Sequence, residues 1–227
     1  MNTDIVRRYL LKYTRKAFRM LPKFHNPPRI LDIGCGSGVP TMELARLSGG
    51  EVIGIDTDQP ALDKLIKKIR EAGFSDRVQA INCSILDMSF PDESFDIIWS
   101  EGSIFVIGFK RGLQKWKRFL KPNGFMVIHD EEGSITRKLE QITGCGYDLF
   151  GYFTLTEDIW WAEYYAPLEK FIQKTRIKPG DDPKVIEELQ NAQREIDMFK
   201  KYPERNRSVY FVIKKNWQGK PKHIFNC

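Results

Sequence analysis

Arg29 to Pro40 reads RILDIGCGSGVP. A short apolar run, Ile30–Ile33, meets three glycines at alternate positions (Gly34, Gly36 and Gly38), and Asp32 stands two residues before the first of them. The residues that follow, Thr41–Leu47, suit a helix that Gly49-Gly50 would stop. The stretch therefore predicts a strand, a glycine turn and a helix, a unit whose turn lets a nucleotide-like ligand approach the backbone closely. The spacing is G-x-G-x-G. The dinucleotide fingerprint G-x-G-x-x-G would need glycine or alanine where Val39 stands.

Outward from the turn, strands alternate with helices. Glu51–Ile55, Val78–Asn82, Phe95–Trp99 and Phe125–His129 read as further strands, with helices over Pro60–Ala72 and Arg111–Leu120 between them. This rhythm predicts an α/β, Rossmann-like, doubly wound and mostly parallel sheet with helices on both faces. Before it, Ile5, Val6, Tyr9, Leu10, Tyr13, Ala17, Phe18 and Leu21 recur at helical spacing, and Pro22 with Asn26-Pro27-Pro28 ends that helix. After it, Tyr147–Leu155 reads as a sixth strand, Glu157–Lys174 as an aromatic-rich helix and Ser208–Ile213 as the final strand. Asp181-Asp182-Pro183 is a strong helix start for Val185, Ile186, Leu189, Ala192, Ile196 and Phe199.

Composition narrows the class. A chain of 227 residues, 41% apolar, can fill one α/β core without a second domain. Its first 25 residues are salted with basic side chains, unlike a secretory signal, and the longest apolar stretch, around 95–109, is broken by Ser100 and Glu101. No membrane span is expected. Cys35, Cys83, Cys145 and Cys227 show no paired spacing, and His25, His129 and His223 lie far apart. Neither disulfides nor a metal site is expected, which fits a reducing cytoplasm. The net charge of +6 is unevenly placed. Residues 1–29 carry eight Lys/Arg against Asp4 alone, residues 200–227 eight against Glu204 alone, and the middle of the chain is acidic. Basic ends are a potential nucleic-acid grip or simply solvated surface.

Charge beside the turn discriminates between ligands. A pyrophosphate at the strand end would face Asp32 as like charge in a desolvated site. S-adenosylmethionine carries a sulfonium and an ammonium and no phosphate, so an aspartate there favours it. Asp56, 22 residues after Gly34 at the end of VIGID, suits the ribose hydroxyls of either cofactor.

LDIGCGSG, VIGIDTD and CSILDMSFPDESFDIIWSEGSI together resemble class I S-adenosylmethionine-dependent methyltransferases, specifically the small-molecule branch with the ubiquinone/menaquinone-type enzymes. The resemblance spans about Arg29–Asp130. It implies a seven-stranded sheet whose last strand inserts antiparallel beside the fifth. It also implies a division into 1–28 as a helical lid or extension, 29–130 as cofactor-binding core, 131–205 as substrate-side helices and 206–227 as last strand and basic tail. By the same resemblance Asp32, Gly34, Gly36 and Gly38 line the methionine and ribose side and Asp56 takes the ribose hydroxyls, with Cys35, Thr57 and Ser100 as further cofactor-binding candidates. The adenine position usually held by aspartate is Ser84 here, followed by Ile85.

The fourth strand end, Trp99-Ser100-Glu101-Gly102, lacks the Asn/Asp-Pro-Pro-aromatic turn of nucleic-acid amino methylases. Glu101 is one candidate base, and His129 or Asp130 at the fifth strand end another, should the acceptor need to lose a proton. Trp160, Trp161, Tyr164 and Tyr165 are candidates for the walls of a small-molecule acceptor pocket or for packing of the sheet. A monomer or homodimer is expected. The competing readings are an RNA methyltransferase using the basic ends, a nicotinamide-dependent oxidoreductase, and a module that binds the cofactor without chemistry.

Overall fold

A computed structural model describes residues 4–175 and 183–216. Asp181 and Asp182 of the expected helix start, and the tail beyond Asn216, lie outside the described residues. Seven strands form one sheet: β1 (Ile30–Ile33), β2 (Val52–Asp56), β3 (Val78–Asn82), β4 (Phe95–Glu101), β5 (Leu120–Glu131), β6 (Tyr147–Leu155) and β7 (Ser208–Lys215). Their order is β3-β2-β1-β4-β5-β7-β6. β1 to β5 run parallel, and β7 inserts antiparallel between β5 and β6. This is the expected doubly wound sheet with its reversed last strand. β1 reads ILDI and is buried along its whole length, as a central parallel strand covered on both faces must be.

The helices are α1 (Asp4–Arg7), α2 (Leu11–Arg19), α3 (Val39–Ser48), α4 (Gln59–Glu71), α5 (Phe109–Trp116), α6 (Ile135–Gly144), α7 (Glu157–Trp160), α8 (Ala166–Lys174) and α9 (Pro183–Lys201). Asp58 caps α4 by accepting from the Ala61 amide at 3.1 Å, replacing a bond that the helix cannot make itself. The basic N-terminal segment is interrupted by a 3-10 turn at Arg8–Leu10, and the aromatic helix expected over 157–174 contains a π-turn at Trp161–Tyr165.

Three differences from the sequence reading stand out. β5 begins at Leu120, so the expected helix end became strand. Leu120 pairs with Phe95 across a register shift, and pairing with a buried neighbour outweighs local preference. Second, β4 continues through Ser100 and Glu101, because both stay in register with β5. Third, α6 was absent from the sequence reading. Its signal was Ser134 as cap, accepting from the Arg137 amide at 3.3 Å, followed by Ile135, Leu139 and Ile142 on one face.

Two apolar layers flank the sheet. One joins Ile30, Trp99, Val127 and Tyr210 to Ala17 and Leu21 of the N-terminal region and to α3 and α4. The other joins Leu31, Ile98, Ile128 and Phe211 to Trp116 and Ile142 of α5 and α6. A third, smaller cluster packs Val6, Tyr164, Tyr165 and Leu168 against Ile196 and Phe199 of α9. Among the described residues, no helix is long and apolar enough to cross a membrane.

Candidate functional site at the carboxyl ends of β1, β2, β4 and β5

The strand order reverses between β1 and β4, and a crevice outside the carboxyl ends of strands at such a switch point is where open α/β sheets bind ligands. The glycine turn sits there. The Gly34 and Cys35 amides both donate to the Ile55 carbonyl at 2.9 Å, tying the turn to β2. Gly34, Gly36 and Gly38 all have positive φ, at 75°, 52° and 78°. Gly34 has a second constraint: a Cβ there would lie 2.3 Å from the Ser103 Cβ. Ser103 Oγ donates to the Ile33 carbonyl at 2.5 Å, so the 2.8 Å contact from Ser100 has Ser100 as donor. Ser100 is fully buried and supports the turn through Ser103.

Asp56 faces the turn. Its Oδ2 accepts from the Gly36 amide at 2.8 Å and its Oδ1 from the Asp58 amide at 2.9 Å. Each oxygen keeps a lone pair for a further donor. Thr57 beside it is exposed. On the far side, the Ser84 hydroxyl accepts from the Leu86 amide at 3.2 Å, and Ile85 packs against the α5/α6 layer.

Asp32 and Glu101 form the electrostatic centre. Asp32 is only 2% exposed and accepts from the Thr41 hydroxyl of α3 at 2.6 Å. Burial pushes its carboxyl up to about 7, against the Thr41 bond and with help from Glu101 and Asp56. Glu101 Oε1 accepts from the Trp99 indole at 2.8 Å and from Thr14 of α2 at 2.9 Å; the Tyr210 hydroxyl donates to the carboxylate too. Burial raises the Glu101 carboxyl as well. Among the described residues, neither carboxylate has a cationic partner. A buried acid and a half-buried one, held by neutral donors alone, form a site with an unmet demand for positive charge.

His129 is paired in register with Glu101 on β4. Its ring stacks on Tyr210 at 4.1 Å and on Trp160 at 6.0 Å. Ser208 Oγ meets His129 Nε2 at 2.8 Å and accepts from the Trp160 indole at 3.0 Å. Burial, then the nearby Lys138 charge, lowers the His129 pKa to about 3, so the ring is neutral at physiological pH. A pocket of about 220 Å³ opens beside it, with Gly102, Phe105, Trp160 and Arg205 among its walls. Of the four aromatic residues expected around an acceptor, Trp160 borders this pocket. Tyr164 and Tyr165 are buried in the α9 cluster, where Trp161 also stacks on Phe199 at 5.8 Å.

Sequence reading did not find Thr14, Thr41, Ser103 or Tyr210. Thr14 and Tyr210 come from distant parts of the chain, whereas Thr41 lies nine residues from Asp32 and Ser103 three from Ser100. The N-terminal segment is also latched to the turn. Asp4 accepts from Ser37 Oγ at 2.6 Å and from Lys68 Nζ at 2.5 Å. Among the described residues, no cluster of three or more His, Cys, Asp or Glu could hold a metal ion. Cys35, Cys83 and Cys145 are free thiols.

Residues 30–124 match a family model described as a methyltransferase domain. The sterol 24-C-methyltransferase of Yarrowia lipolytica is 28% identical over 103 residues, 45% of this chain and 27% of that protein. The chain spans less than half the length of the curated relatives it matches. Among solved structures, the [4+2]-cyclase SpnF superposes with a TM-score of 0.73 at 18% identity, over 90% of this chain and 81% of that one. A methyltransferase from Geobacter sulfurreducens, in complex with S-adenosyl-L-homocysteine, superposes with a TM-score of 0.68 at 19% identity, over 90% and 89%. These superpositions establish the fold.

Proposed function

We propose that this protein, whose residues 30–124 carry a methyltransferase domain, binds S-adenosylmethionine at the glycine turn and transfers its methyl group to a small molecule. The observation that carries this reading is the buried Asp32 beside the half-buried Glu101, neither with a cationic partner among the described residues. A cofactor bearing sulfonium and ammonium groups supplies the missing positive charge; a dinucleotide would bring more negative charge instead. S-adenosylmethionine supplies an activated methyl group for in-line displacement by the acceptor.

The chain's own contribution is placement. Asp56 takes the ribose hydroxyls with the lone pairs left free by Gly36 and Asp58. Ile85 gives an apolar wall for the adenine, with Ser84 at the position of the usual acid. Trp160, His129 and Phe105 line the proposed acceptor pocket beside Gly102, and positioning there is the main lever on a displacement of this type. Where the acceptor must lose a proton, Glu101 is the proposed base, since burial raises its carboxyl and makes it a stronger proton acceptor. His129 holds its ring by stacking and through Ser208. α1 and α2 act as a lid, held by Asp4 on the turn and by Thr14 on Glu101.

Calorimetry with S-adenosylhomocysteine and with NADH tests the cofactor: the former is expected to bind and the latter not, and the reverse would make the protein an oxidoreductase. Asp56→Ala is expected to weaken S-adenosylhomocysteine binding roughly ten- to a hundredfold through the lost ribose hydrogen bonds. An unchanged dissociation constant would displace the ribose site from β2. A second reading, cofactor binding in service of other chemistry, draws on the fold shared with SpnF, a [4+2]-cyclase. Release of S-adenosylhomocysteine during turnover of a methylated product separates the two.

A further inference from the structure

Glu131, the last residue of β5, lies in the walls of two cavities. One is the pocket beside His129 and Trp160. The other is a cleft of about 470 Å³ next to the starts of α5 and α6, with Lys110, Arg111, Arg137 and Lys138 in its wall. Lys138 is committed: it donates to Asp130 at 2.5 Å and to the Glu131 carbonyl. Asp130 itself lines the first pocket, so this ion pair reaches from one cavity to the other.

Lys110, Arg111 and Arg137 make no ion pair among the described residues, and Glu131 is the one carboxylate in the described cleft wall. A larger groove of about 640 Å³ beside α3 and α4 shows the contrast. There Arg15 and Arg46 share Glu43, and Lys68 holds Asp4, so its cations are largely neutralised from within. Three cations facing one carboxylate in a concavity leave a net positive field that draws in anions. The two guanidinium forks match the oxygens of a phosphate. A single carboxylate would neutralise only one of the three.

We propose that this cleft is a phosphate site and that the methyl acceptor is a phosphorylated small molecule. Its phosphate is held by Lys110, Arg111 and Arg137 while the part to be methylated enters the pocket of Trp160 and His129. This inference rests on the methyltransferase reading and names its substrate class. Inorganic pyrophosphate is the probe, titrated by calorimetry into the free protein and into the protein saturated with S-adenosylhomocysteine. Wild type is compared with the triple variant Lys110→Ser/Arg111→Ser/Arg137→Ser, whose altered side chains are exposed; thermal unfolding checks that it remains folded.

Pyrophosphate is expected to bind, to weaken as salt rises, and to lose at least tenfold in affinity in the triple variant, with S-adenosylhomocysteine affinity unchanged. No pyrophosphate binding, or equal binding to the folded triple variant, overturns the site. Citrate binding as tightly as pyrophosphate overturns the choice of phosphate over carboxylate. A ten-nucleotide RNA that binds tighter than pyrophosphate and is lost with the same variant overturns the small-molecule acceptor. If S-adenosylhomocysteine fails to bind while pyrophosphate does, the methyltransferase reading falls and the anion site stands. The opposite result removes only the phosphate site.

Discussion

Asp32→Asn is expected to weaken S-adenosylhomocysteine binding by roughly a hundredfold at pH 8.5, about 3 kcal/mol, because the ligand's ammonium loses a buried counter-charge. S-adenosylmethionine, with its additional sulfonium, should lose at least as much. The same variant should make the free protein more stable at that pH. Asp32 titrates at about 7 in the folded chain against 3.8 for the ordinary carboxyl. The folded state therefore binds more protons than the unfolded state in that window, and stability falls as pH rises from about 4 to about 7. Above pH 7 the folded free protein carries an unfavourable buried charge in full. Asparagine keeps the shape and can accept from Thr41 without that charge. A gain on the order of 2 kcal/mol corresponds to a rise of about 4–8 °C in Tm for a chain of this size. In the wild type, affinity should drop as pH falls below 7 and Asp32 takes up its proton, whereas the variant should not show that inflection. Dissociation constants at pH 6 and pH 8.5, with melting curves of the free proteins, decide the matter. Equal affinity for wild type and variant at pH 8.5 would remove Asp32 from the cofactor site.

Gly34→Ala is expected to destabilise the fold and abolish cofactor binding together. A left-handed φ of 75° at Gly34 costs a residue with a Cβ about 1–2 kcal/mol. The new methyl would also lie 2.3 Å from the Ser103 Cβ, and relieving such overpacking costs a further ~1–3 kcal/mol. Ser103 cannot retreat freely, since it bonds the Ile33 carbonyl and accepts from Ser100. The displacement therefore opens the seam between the β1 turn and the β4 loop, the floor of the proposed site. Gly36→Ala is the control. Its φ is also positive, but a Cβ there meets nothing within 4 Å, so its stability loss should stay near the backbone cost of ~1–2 kcal/mol. Urea unfolding of the two variants should separate them by more than 1 kcal/mol; equal losses would mean that Ser103 yields without consequence.

Much of the frame was written locally. Ile30–Ile33, Val78–Asn82 and Tyr147–Leu155 could be bounded from the chain, because strand pattern and flanking turn residues coincide there. The ends of β4 and β5 could not. Leu120 and Glu101 take strand geometry from partners on neighbouring strands, a force absent from any local window. The candidate site divides in the same way. Asp32, the three glycines and Asp56 were legible, since a glycine turn and two strand-end acids are fixed by short-range spacing. Thr14, Ser103 and Tyr210 were not, because nothing in their own surroundings marks them. Tyr164 and Tyr165 show another limit: a dense aromatic run suits a pocket wall or packing alike, and only the fold places these two in the cluster with α9.

What the sequence determined by itself is the doubly wound sheet and the sign of charge its glycine turn welcomes. Periodicity, glycines and strand-end carboxylates are local, and they act before any long-range contact forms. What the tertiary structure alone decided is how those carboxylates behave and what surrounds them. Burial is a property of the packed molecule. It raises Asp32 and Glu101, silences His129, and leaves Lys110, Arg111 and Arg137 facing a cleft with one carboxylate in its described wall. Charges separated along the chain become a field only when folding brings them within reach of one another.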